Sequence, residues 1–133
     1  MRKLTTLILC VAVMTAGSAL AGDVLWFYGH SGNGGEGHDD VVALLQAEGA
    51  TVDIDGGAVL PDLAGYTLIF INTPGFYDPS DFFTADEKTR LADWLTVGSH
   101  RVVMVGEWDG FYAGQAVMED LLAAIGNPIV YEP

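Results

Sequence analysis

The chain has 133 residues, half of them apolar, and 18 acidic against five basic side chains give it a formal charge of −13. That length suits one domain, and so acidic a chain repels nucleic acid and anionic membrane, which excludes both as expected partners. Cations, neutral sugars and basic protein surfaces stay open.

The chain begins Met1-Arg2-Lys3, continues as an apolar run over 4–16, and reaches small residues ending Ala19-Leu20-Ala21. A charged start, an apolar middle and an A-x-A site make a signal peptide over 1–21, cleaved after Ala21. The run is shorter than the roughly 20 residues of a membrane span. Cys10 lies inside it rather than after it, which does not fit a lipoprotein. Cleavage leaves 112 residues and removes Arg2 and Lys3, taking the charge from −13 to −15. The mature domain, 22–133, is then periplasmic or extracellular, free of the membrane, and without the chain's one cysteine. It forms no disulfide and holds no thiolate, so its stability rests on a packed core.

From here strand and helix patterns alternate. Residues 24–28 (VLWFY) form a short apolar run, as expected of a strand buried on both faces. A glycine-rich loop over 29–37 leads into a helix whose apolar positions Val41, Val42, Leu44 and Leu45 share a face, with Asp39 or Asp40 as cap and Gly49 as its stop. Residues 51–54 predict an edge strand, 61–65 a turn, and 66–71 (YTLIFI) the central strand. A long loop over 72–83 precedes Thr84-Ala85-Asp86-Glu87, a capping box that opens a helix with Leu91, Trp94 and Leu95 on its buried stripe. Residues 101–105 (RVVMV) predict a buried fourth strand, Val117, Leu121, Leu122 and Ile125 mark a last helix, and 129–131 a short fifth strand. Strands separated by such helices make parallel βαβ units. The expected fold is an α/β three-layer α/β/α sandwich with a flavodoxin-like parallel sheet, strand order 2-1-3-4-5. It is either a minimal domain or the front part of a longer one.

The segments VLWFYGHSG, HDDVVALLQAEGATVDI, LAGYTLIFINTPG, TADEKTRLADWLTVGSHRVVMVGEWDG and AVMEDLLAAIGNP, in this order, resemble the class I glutamine amidotransferase-like superfamily, especially its secreted members of unassigned activity. The resemblance covers nearly all of the mature chain and implies a flavodoxin-like sheet. In active amidotransferases it implies a cysteine on a G-x-C-x-G turn after the fourth strand. Here that turn reads Gly106-Glu107-Trp108-Asp109-Gly110, with tryptophan in the cysteine's place, and the carboxy-terminal His and Glu of the triad have no counterpart. Glutaminase activity is therefore not expected.

In open α/β sheets, ligands bind beyond the carboxyl ends of the strands where the strand order reverses. The loops that meet there carry Gly29, His30, Ser31 and Asn33, then Asn72, Thr73 and Tyr77, then Glu107, Trp108 and Asp109. Gly29, Ser31, Asn33, Asn72, Thr73, Tyr77 and Trp108 are candidate ligand contacts, because aromatics beside amides and hydroxyls suit sugar rings or a protein partner. Glu107, Asp109 and His30 are candidate acid–base or nucleophilic groups. Gly32 to Gly37 fits G-x-G-x-x-G, but the first strand ends too early and Glu36, Asp39 and Asp40 oppose a pyrophosphate. His30, His38, Asp39, Asp40, Glu107 and Asp109 are donors of the kind zinc accepts, yet no ligand spacing joins them. No cofactor is expected, with a divalent metal as the alternative. His100, before the fourth strand, is expected exposed at the far end of the sheet.

Three functional readings follow. The first is a non-catalytic exported domain that binds a small polar ligand, such as a carbohydrate, or a protein partner. The second is a hydrolase of sugars or amides working through Glu107, Asp109 and His30. The third is a structural module of a larger envelope protein.

Overall fold

A computed structural model describes residues 23–30, 38–72, 82–105 and 112–127. Its elements are β1 (Asp23–Phe27), α1 (His38–Ala47), β2 (Thr51–Asp55), β3 (Tyr66–Asn72), α2 (Ala85–Leu95), β4 (Arg101–Val105) and α3 (Tyr112–Ala124). The four strands form a parallel sheet in the order β2-β1-β3-β4. The α/β class and the strand order 2-1-3-4 match the expectation, and the predicted strand over 129–131 lies outside the described residues. No described helix is long and apolar enough to cross a membrane.

Alternation along the strands divides the side chains between two faces. On the first, Leu25 and Phe27 of β1 and Ile69 and Ile71 of β3 are sealed by Leu91 and Trp94 of α2, Val117 and Leu121 of α3, and Leu60 and Leu63 of the β2–β3 connection. Lys88 of α2 and Asp120 of α3 pair at 3.0 Å and tie the two helices together. On the second face, Val24 packs with Leu45 and Ala50, flanked by Val52, Leu68 and Phe70. Among the described residues, α1 is the one helix on that side. Gly49 ends it with φ of 92°, a left-handed conformation that favours glycine, and Ala50 N–H returns to Leu45 C=O at 3.0 Å.

Three expectations need correction. β4 was expected to be buried, but Val103 and Val105 are 39% and 37% exposed, because β4 ends the described sheet and no described helix covers its second face. Asp39 and Asp40 do not cap α1; the helix begins at His38, so they occupy its first turn, where a carboxylate is favoured by the positive end of the helix dipole. His100 is not free in solvent: its ring stacks on Trp94 at 4.4 Å and its Nδ1 lies 2.6 Å from the Trp94 carbonyl.

Candidate functional site: a buried histidine–glutamate pair at the sheet rim

β1 delivers the chain to the carboxyl rim of the sheet at Tyr28, whose N–H bonds to the Asp55 carbonyl at 2.9 Å. Gly29 follows where the backbone passes close to the β2–β3 connection. A Cβ there would strike the Gly57 carbonyl and the Phe27 ring, so this glycine is required by close approach. His30 then takes φ of 55°, the left-handed region that a non-glycine residue enters only when its surroundings hold it.

Glu87 is that hold. His30 Nε2 lies 2.9 Å from Glu87 Oε1, and both side chains are buried. The imidazole packs beside Phe83 at 4.5 Å and Phe27 at 6.0 Å, which excludes water from the pair. Glu87 sits in the first turn of α2 and is 1% exposed. Its Oε1 also accepts the Leu60 N–H at 2.7 Å, and its Oε2 accepts the Thr84 N–H and hydroxyl, each at 2.7 Å. The Thr84 hydroxyl in turn accepts the Glu87 N–H at 3.3 Å, which completes the capping box.

Burial alone would push the Glu87 carboxyl up, but the donors from Leu60, Thr84 and His30 outweigh it and draw its pKa down to about 2. Glu87 is therefore a fixed carboxylate with two donors on each oxygen. It is a poor proton acceptor and a good anchor. One turn further along α2, Arg90 donates to the Leu60 carbonyl at 2.7 Å and the Pro61 carbonyl at 3.0 Å. Glu87 and Arg90 thus hold both backbone groups of Leu60 and fasten a connection that has no helix of its own.

Of the expected site residues, Gly29, His30 and Asn72 are described. Gly29 and His30 follow β1, and Asn72 closes β3 at the same rim, half-buried. Ser31, Asn33, Thr73, Tyr77, Glu107, Trp108 and Asp109 lie outside the described residues. The described partner of His30 is Glu87, which the sequence marked only as a capping residue. Its second role had no local signal, because a capping-box glutamate needs one oxygen for its own helix and nothing nearby tells where the other points.

Elsewhere, His38 Nε2 meets Asp39 Oδ1 at 3.1 Å and its ring lies over Trp26 at 5.6 Å. Among the described residues, no group of three or more metal-type donors converges. Across the sheet, the Tyr66 hydroxyl of β3 donates to Asp53 Oδ2 of β2 at 2.8 Å. That bond, partial burial and the charges of Asp53, Asp55 and Asp23 push the phenol up to about 12.

No family model matches the chain, nor does any curated protein or solved structure.

Proposed function

We propose that this chain is an exported, non-catalytic domain that binds a small polar ligand, a neutral carbohydrate in the first instance, at the carboxyl rim of its sheet. In this reading residues 1–21 are a cleaved signal peptide, the mature protein is periplasmic or extracellular, and the fold is a flavodoxin-like three-layer sandwich of the amidotransferase-like kind. Replacement of the amidotransferase cysteine by Trp108 supports the non-catalytic assignment.

The observation that carries it is the saturation of Glu87. The described acid–base pair at the rim is engaged in fixing His30, just after β1, and Leu60 to the start of α2. A carboxylate held at about 2 stays ionised at neutral pH and is a weak general base. A binding residue whose backbone is set before any ligand arrives, as His30 is by Glu87, loses little entropy on binding.

The test is a titration with neutral hexoses and N-acetylhexosamines, followed by the amide resonances of Gly29, His30 and Asn72. A saturable shift with no chemical change in the sugar, retained in Glu107→Gln, is the expected result. Sugar or amide hydrolysis that disappears in Glu107→Gln would replace this reading with the hydrolase working through Glu107, Asp109 and His30. Silence across the whole panel would remove the carbohydrate.

A further inference from the structure

We infer that the buried Trp26 indole is a ligand-recognising donor of the rim, and that it selects an N-acetylhexosamine over a plain hexose by giving its N–H to the acetamido carbonyl. This inference rests on the carbohydrate reading above and narrows it.

The fold treats its two described indoles differently. Trp94 gives its N–H to the Tyr66 carbonyl at 3.2 Å. Trp26 is only 5% exposed, yet its buried N–H meets no acceptor among the described residues. An indole nitrogen donates and does not accept, so burial without an acceptor forfeits the hydrogen bond that water supplied. Folded proteins rarely leave such a donor orphaned, and a bound group that completes it is one of the few reasons to do so.

The place of Trp26 in the fold favours a ligand. It is the last residue but one of β1, which puts it at the carboxyl rim where α1 begins. Its ring stacks at 4.8 Å on Phe70, its register partner in β3. On the side of α1 it lies 5.6 Å from the ring of His38, the first residue of that helix. The route to the indole passes His38. The bond of that ring to Asp39, at 3.1 Å, is to a side chain that is 92% exposed, and a pair so open to water holds its members weakly.

Chemistry selects the acceptor. A donor set among aromatic rings is matched by an oxygen that only accepts and has an apolar neighbour. A hexose hydroxyl also accepts, but it carries a proton of its own, which aromatic faces leave without a strong partner. A carboxylate accepts well, but Asp39 and Asp40 in the first turn of α1 and the formal charge of −13 oppose a further anion. The acetamido group carries a carbonyl and a methyl side by side. The carbonyl takes the N–H and the methyl packs on the Trp26–Phe70 stack.

Glucose and N-acetylglucosamine differ in a hydroxyl or an acetamido group at one ring carbon, so the pair is the probe. Each is titrated into the full chain and followed by the indole N–H resonances and the rim amides. N-acetylglucosamine should bind about fivefold or more tightly than glucose, the worth of one net hydrogen bond. It should move the Trp26 indole resonance and leave that of Trp94, already bonded, in place. Trp26→Phe keeps a ring and removes the N–H; it should bring the two sugars to equal affinity. The indole shift in the native chain decides the matter even if that variant folds poorly. Equal affinities in the native chain overturn the acetamido selection and leave the rim reading standing, whereas no binding of either sugar overturns both. A preference that survives Trp26→Phe, or an indole proton that exchanges with a bound water and ignores the sugar, assigns the donor to another partner and overturns the inference.

Discussion

His30 and Glu87 stand 57 positions apart and meet at 2.9 Å behind Phe83. The contact joins the loop after the first strand to the first turn of the second helix. It makes a residue that looks like a helix cap into a central fastener, since the same carboxylate also holds Leu60 and Thr84.

Glu87→Gln should lower stability by about 2–4 kcal/mol, because the amide nitrogen faces donors where a carboxylate oxygen accepted them. His30→Ala should cost less, as Glu87 keeps three of its four donors. Urea unfolding of both variants measures the order, and a larger loss for His30→Ala would refute the central role given to Glu87.

The folded-state pKa of Glu87, about 2, lies below its ordinary 4.5. The unfolded chain therefore binds the proton more readily between these values, and stability falls as pH falls through that window. The Glu87 contribution is fully present above about pH 5 and is on the order of 3 kcal/mol. Unfolding free energy measured between pH 6 and pH 2, numbers that bracket the window approximately, should decline more steeply in the native chain than in Glu87→Gln. Parallel curves would show that other carboxylates govern acid unfolding.

Thr84→Ala should cost about 1–2 kcal/mol, from loss of the cap and of one donor to Glu87. Thr84→Ser keeps the hydroxyl and should restore most of it. Thermal melts of the pair decide the matter: if serine behaves like alanine, the methyl group rather than the hydrogen bond carries the effect.

Gly29→Ala forces a Cβ against the Gly57 carbonyl and the Phe27 ring. Neither yields easily, since one is backbone and the other lies in the core, so a loss of about 2–4 kcal/mol is expected. A variant as stable as the native chain would mean that the β2–β3 connection moves aside without cost.

Tyr66 has a folded-state pKa of about 12 against an ordinary 10. Its bond to Asp53 thus contributes stability below about pH 10 and loses it as pH rises through 12. Phenolate absorbance should show a late-titrating component that vanishes in Tyr66→Phe and moves toward 10 in Asp53→Asn. A curve unchanged by Asp53→Asn would exclude that carboxylate as the cause.

Whatever depends on neighbours along the chain is legible in the residues themselves. Hydrophobic runs marked β1 and β3, the Thr84–Glu87 spacing marked the start of α2, and alternating element types implied parallel strands, because propensity, capping and amphipathic periodicity act over a few residues. It left open which surfaces would be covered. β4 reads as a buried run yet is half open, since burial depends on how many layers a face receives. That His30 belongs with Glu87, and that Glu87 and Arg90 grip Leu60, emerges only once the chain is folded. Contacts across tens of residues arise from the packing of strands and helices, and no local pattern records them.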